Sequence, residues 1–347
     1  MSMSHFHPER PIEQFRVPQD VAYNWEYDAT RAKLIRLYEN AVRDQWSATQ
    51  RLDWSVDVDP QSELVPDMGI GIYGSPIWEK LTRAEREKLR HEAITWQLCQ
   101  FLHGEQGALL ATAQIVDTVP WYEAKQYGAT QVMDEARHVE VYRRFVQEKL
   151  EHEYPINPQL KQLLDTILSD SRWDIKFLGM QIMVEGLALA AFGVIRDSTS
   201  NPLLRDLTAA VMEDESRHVA FGVLSLREFC HGVSEKERVE REDFVYEAAV
   251  LMRDRILNRE VWERMGLDAD QCIALSLGSP LAKEFRRRLF SKIVPNVKSL
   301  GLLSDRQRAR FADLGILEFE HGTTSDVDQA IEEEQRRRAN EAAPTLQ

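Results

Sequence analysis

Asp134-Glu135-Ala136-Arg137-His138 and Asp214-Glu215-Ser216-Arg217-His218 are two copies of one short pattern, 80 residues apart. Each contains Glu-x-x-His. On a helix, residues i and i+3 share a face, so the carboxylate and the imidazole point the same way. One helix can thereby give a metal ion one oxygen and one nitrogen ligand. A single Glu-x-x-His arises often by chance. Two copies, each inside D-E-x-R-H, are much harder to obtain by accident.

Long segments around both copies lack glycine and proline and show little alternation of period two, so the chain reads as all-α. Four long helices are expected: about His91–Thr118, Tyr122–His152, Ser171–Asp197 and Pro202–His231. The doubled pattern falls on the second and fourth. Glu105 interrupts an apolar stretch of the first helix and Glu185 one of the third, where a lone ionised carboxylate is costly unless paired or bound to metal. Glu105 and Glu135 are 30 residues apart with their midpoint at Pro120; Glu185 and Glu215 are also 30 apart with their midpoint at Ser200. Both midpoints fall in expected turns. In each antiparallel hairpin the two acids therefore stand level, roughly 22 Å from the turn at ~1.5 Å per residue. Packing the hairpins together gathers Glu105, Glu135, His138, Glu185, Glu215 and His218 at one height. Hard oxygens with imidazole favour iron or manganese over copper. One Glu from each of two helices and Glu-x-x-His from the other two is the di-iron carboxylate arrangement of a four-helix bundle.

These six residues resemble the ligands of the ferritin-like di-iron oxygenases and oxidases, over roughly residues 91–231. The doubled D-E-x-R-H is most similar to the hydroxylase subunits of bacterial multicomponent monooxygenases. The resemblance implies a ferritin-like four-helix bundle with additional N- and C-terminal helices, and two iron ions, with manganese and iron able to share the same ligands. It implies O₂ as co-substrate. It also implies that Asp214 holds His138 and Asp134 holds His218, with Arg137 and Arg217 beside them; such partners fix ring orientation and tautomer. Three departures stand out. The multicomponent hydroxylases carry a Thr one turn after the third ligand, where this chain offers Ala188 and Leu189. The p-aminobenzoate N-oxygenases have a similar length and a further metal-bound His one turn before the last Glu-x-x-His; Val211 stands there, which weighs against that reading. Tyr142, four residues after His138, matches the radical tyrosine of the ribonucleotide reductase small subunit, but that enzyme uses Asp where this chain has Glu105.

The first functional reading is an O₂-activating oxidoreductase acting on a small organic substrate by hydroxylation, N-oxygenation or desaturation. Phe101, Ala108, Leu109, Thr112, Leu189 and Phe192 lie one or two turns from the ligands and are candidates to line its pocket, or are ordinary core. No Rossmann glycine loop or iron–sulfur cysteine cluster is visible, so a reductase or ferredoxin is expected to supply electrons. The alternatives are a radical-generating or ligand-binding oxidase with Tyr142 as the oxidised residue, and a non-enzymatic iron store. The helices beyond residue 232 argue against a storage cage.

Composition fits this picture. Of 347 residues, 43% are hydrophobic and 29% charged, enough apolar material for a sizeable core, and the net charge of −14 argues against nucleic-acid binding. No apolar run of about 18 residues is evident, so no membrane span is expected. Cys99, Cys230 and Cys272 form no C-x-x-C, which suits a reducing cytoplasm. Residues 1–28 read as an irregular segment, 29–320 as one helical domain and 321–347 as a polar, mobile tail. Outside the bundle, helices are expected at about Ala29–Thr49, Leu81–His91 (free to run on into the first bundle helix), Gln159–Ser169, Ser234–Met265 and Pro280–Val297. A homodimer is compatible with the sequence.

Overall fold

The computed structural model describes residues 14, 16–28, 30–59 and 64–331. These residues form helices and no strand. The main elements are α1 (Ala32–Arg43), α2 (Arg83–Thr118), α3 (Tyr122–Lys149), α4 (Pro158–Ser169), α5 (Trp173–Ser198), α6 (Pro202–Gly232) and α7 (Glu235–Asp254). The bundle is α2, α3, α5 and α6.

Local chemistry sets the ends of these helices. Thr82 opens α2 with a capping box: its Oγ1 accepts from Glu85 N, and the Glu85 carboxylate accepts from Thr82 N. Val119 stops α2 in an extended conformation, as the residue before a proline prefers. Pro202 occupies the first turn of α6, and Asn201 caps it by accepting from Leu204 N at 2.9 Å. The two tight turns fold α2 against α3 and α5 against α6. The short helix expected over Leu81–His91 runs on into the next as the first turns of α2, because no breaker lies between them.

Breaks occur where side chains are needed inside. The helix expected over Ala29–Thr49 stops at Arg43 and resumes as the single turn Ala48–Arg51. Between them, Gln45 and Trp46 donate to buried carboxylates. The helix expected over Ser234–Met265 breaks at the 3₁₀ turn Arg255–Leu257, followed by Asn258 with φ 52°. The one expected over Pro280–Val297 divides into Pro280–Arg288 and Ile293–Ser299, and short helices at Ala269–Gly278 and Asp305–Asp313 lie outside the expected segments.

Within α5 the stretch Leu178–Val184 is π-helical and runs directly into Glu185. Such wide turns mark functional sites because they re-aim the residues that follow. Two glycines admit the backbone there. A Cβ at Gly222 would lie 2.6 Å from Gln181 Cβ, and one at Gly179 would collide with Ile167. By length and composition α5 is long and apolar enough to cross a membrane, although the sequence reading found no such run. Its most apolar window is 72% buried against the rest of the chain.

Residues 16–28, 30 and 31 run as a strap without helix over the α2–α3 turn, held by Ala22 N to Asp117 O at 2.9 Å and by Thr30 N and Arg31 N to Glu123 Oε1 at 2.9 and 3.0 Å. Residues 321–331, where the sequence suggested the start of a mobile tail, dock on the body. Asp326 pairs with Arg227 at 2.9 Å, and Ser325 N donates to the buried Asn296 Oδ1 at 2.9 Å. The rest of that expected tail and residues 1–13 lie outside the described residues.

Candidate metal centre

Glu105 comes from α2, Glu135 and His138 from α3, Glu185 from α5, and Glu215 and His218 from α6. All six are buried, the most exposed being Glu105 at 6%. Ligand atoms of Glu105, Glu135, His138 and Glu215 lie within 4.8 Å of one another, as do those of Glu135, Glu185 and His218. Glu135 belongs to both groups. His138 Nδ1 lies 3.3 Å from Glu105 Oε2 and 3.2 Å from Glu215 Oε1; His218 Nδ1 lies 3.2 Å from Glu135 Oε1. The two rings are 5.8 Å apart.

The far side of each ring meets an aspartate from the opposite motif. His138 Nε2 is 3.2 Å from Asp214 Oδ2, and His218 Nε2 is 3.3 Å from Asp134 Oδ2. Arg137 donates to both Asp134 and Asp214, and Arg217 to Asp214. Sequence reasoning missed the next layer. Gln45 Nε2 donates to Asp134 Oδ1 at 2.9 Å, and Trp46 Nε1 to Asp214 Oδ2 at 2.8 Å. Trp46 also stacks under Arg137, 4.7 Å from ring centre to guanidinium carbon. Fixed in this way, both imidazoles turn Nδ1 toward the four glutamates.

Electrostatics shows what the cluster lacks. Burial pushes the Glu105 carboxyl well above the usual carboxylate range, against the pull of His138. Burial does the same to Glu185, reinforced by Glu215 and Glu135. At Glu135 burial acts upward too, but His218 and His138 more than offset it and hold that carboxyl low. Both histidines are driven down by burial, and the carboxylates raise them well above the ordinary value. Meanwhile Glu135 Oε2, Glu185 Oε2, Glu215 Oε2 and His218 Nδ1 are buried without a hydrogen-bond partner among the described residues. Each orphan of this kind costs about 1–3 kcal/mol. A cation between the glutamates would satisfy these atoms and the negative charge together, so the donor set fits a pair of metal ions.

A cavity beside the cluster is lined by Phe101, Gly104, Glu105, Ala108, Ala188 and Phe192, among others, and by Arg255 from the 3₁₀ turn after α7. Three of the six pocket candidates, Phe101, Ala108 and Phe192, therefore border it. The other three do not. Thr112 is buried further along α2, where its hydroxyl accepts from Gln181 Nε2 at 3.5 Å, and Leu109 and Leu189 are half-buried away from the cavity. Tyr142 is fully buried with its ring centre 5.7 Å from that of Phe101, its hydroxyl without a hydrogen-bond partner among the described residues, and burial raises its pKa well above normal.

No curated protein matches the chain. Among solved structures it is similar to a variant of the R2-like ligand-binding oxidase with an anaerobically reconstituted Mn/Fe cofactor, at 17% identity and a TM-score of 0.48, over 77% of this chain and 95% of that one. It is similar as well to the same oxidase with an aerobically reconstituted Mn/Fe cofactor, at 16% identity and a TM-score of 0.44, over 76% and 93%. The p-aminobenzoate N-oxygenase AurF family matches residues 28–301. That match includes Val211, so a histidine missing from that position does not separate the chain from this group. Running from before α1 to well past α6, the match takes in every element that contributes a donor, and the chain belongs to the p-aminobenzoate N-oxygenase AurF family.

Proposed function

We infer that the chain is an O₂-dependent oxygenase that transfers oxygen to nitrogen of a small amine carrying an acidic group, with Glu105, Glu135, His138, Glu185, Glu215 and His218 as ligands of two iron ions. Family membership makes it an O₂-using oxidoreductase with a small-molecule substrate. The observation that carries the ligand assignment is the convergence of six buried donors, several of their atoms orphaned, around one point. When bound, the ions supply the redox chemistry that activates O₂. A manganese and an iron ion suit the same oxygen and imidazole donors. Inserting one oxygen atom and releasing the other as water consumes two electrons beyond those of the substrate, so a reductase or ferredoxin is the proposed donor. Three buried, unpaired cysteines support a reducing cytoplasm.

The residues have separable tasks. Asp134 and Asp214 hold the two imidazoles in one tautomer and orientation. The Phe101–Phe192 pair, with ring centres 4.5 Å apart, keeps water from the cluster. Arg255 is 6% exposed and has no hydrogen-bond or ion-pair partner among the described residues; burial alone pushes its guanidinium down to about 10. A buried cation without a counter-ion is expensive. A carboxylate on the substrate would supply that counter-ion as a bidentate pair. The cavity now has a volume of about 20 Å³, room for a single water, so substrate entry must part Phe101 and Phe192.

Iron-loaded, chemically reduced protein should consume O₂ faster than free ferrous ion and develop the absorption of an oxo-bridged di-iron centre; a rate equal to free ion would defeat the reading. Arg255→Met should weaken binding of p-aminobenzoate about 10- to 100-fold while leaving that of its neutral amide unchanged. Equal losses for both compounds in calorimetry would remove Arg255 from substrate recognition. Under the alternative, in which a tyrosine is oxidised, Tyr142→Phe abolishes the activity. Under the reading proposed here it changes the rate less than about fivefold, since a packed ring is replaced by one of nearly the same volume.

A further inference from the structure

The two halves of the donor cluster are not equivalent. Glu135-x-x-His138 answers Glu215-x-x-His218, and Glu105 answers Glu185. One turn before each motif the correspondence ends. Gln131 stands four residues before Glu135, and Val211 four before Glu215; both are fully buried. Gln131 Nε2 donates to Glu135 Oε1 at 2.9 Å and to Glu185 Oε1 at 3.0 Å, so one amide ties a carboxylate of α3 to a carboxylate of α5. Glu105 has no such donor; its hydrogen-bond contact is His138 Nδ1 at 3.3 Å. Val211 can offer Glu215 none.

We propose that Gln131 is a positioning residue that makes the half built from Glu135, Glu185 and His218 the tighter of two metal positions, and leaves Glu105 the carboxylate that moves. The amide holds Oε1 of Glu135 and of Glu185. Oε2 of each, and His218 Nδ1, make no hydrogen bond among the described residues. These three atoms are set before any ion arrives, so binding there orders fewer side chains. Gln131 is itself costly in this place, since its own Oε1 is buried without a partner. Polar groups that break the rules of a core in this manner belong to functional sites. Glu105, Glu185 and Glu215 all border the cavity, but of these Glu185 is tied by the Gln131 amide and Glu105 is not, and a Cβ at Gly104 beside Glu105 would meet nothing within 4 Å.

The inference rests on the metal-centre reading, and its test separates the two. Crystals of the metal-free wild-type protein soaked with one equivalent of Mn(II) should show their main anomalous peak among Glu135, Glu185 and His218. In calorimetry with Mn(II), wild-type protein should bind two ions with affinities at least about tenfold apart, and Gln131→Met, which keeps the side-chain length and removes the donor, should close that gap. Equal peaks, a main peak beside Glu105 and His138, or an unchanged gap in Gln131→Met would overturn the proposal while leaving the metal centre standing. Wild-type protein that binds no Mn(II) would overturn the centre itself. The crystal measurement needs no variant, so it decides the matter even if Gln131→Met does not fold.

Discussion

Glu135→Ala is expected to fold, to hold fewer than two metal ions and to lose O₂-dependent turnover by about 100-fold or more. Even partners that only orient ligands are worth 10–100-fold in metal affinity or activity. Glu135 is more than such a partner, because it is the residue common to both donor groups. Its Oε1 faces His218 Nδ1 at 3.2 Å and its Oε2 faces His138 Nδ1 at 3.4 Å, so each histidine loses one of its carboxylate neighbours, His138 one on its own helix and His218 one across the bundle. The metal-free fold should tolerate the change. Repulsion on Glu105 and Glu185 falls when the carboxylate leaves, as Glu135 is among the groups that raise both. The surrounding core, with Tyr127, Phe177 and Phe221 fully buried, is untouched. A stability change of about 1–3 kcal/mol covers the lost contacts and the void. Metal analysis beside a thermal melt checks both halves of the statement. Two ions per chain retained in the variant would mean that the centre is organised around some other residue.

The bundle and its donors were legible because their signals are local. Helix periodicity, the i, i+3 spacing and turns at Pro120 and Ser200 each depend on a few neighbouring residues, and together they fixed the height at which four helices meet. What escaped depends on contacts across the chain. Nothing near Trp46 or Gln45 announces that the helix must break so that they can reach Asp214 and Asp134. Arg255 looks like one more arginine at a helix end until the 3₁₀ turn carries it to the cavity. The pocket candidates divided for a geometric reason: on α2 the cavity follows Phe101, Glu105 and Ala108, so Leu109, one residue further round, turns away. Gln131 alone could have been found, since i−4 from Glu135 is the same helical face. Val211 is a misleading signal, because one absent donor says less about family than the six donors that are present.

Removing the metal should destabilise the protein, and by more at higher pH. Saturation at 1,000 times Kd adds about 4 kcal/mol per ion. At roughly 2 °C per kcal/mol for a chain of this size, two ions correspond to a fall in Tm of about 15 °C on chelation. The pH dependence follows from the directions of the shifts. Glu105 and Glu185, raised from 4.5, keep protons in the metal-free fold where the unfolded chain has lost them. That fold therefore loses stability as pH climbs from about 4.5 toward their raised values. His138 and His218, raised from 6.5, contribute stability that is complete below 6.5 and fades as pH passes their raised values, so they act in the same direction. Glu135 and Asp214 are lowered, and their contribution is complete above the ordinary carboxylate range, so it does not change near neutrality. Metal ions displace the protons of the raised groups, and binding tightens as pH rises. The difference in Tm between loaded and chelated protein should consequently widen from pH 6 to pH 8. Scanning calorimetry at both values measures it, and a difference that narrows would mean that the ions enter somewhere other than among these buried carboxyls.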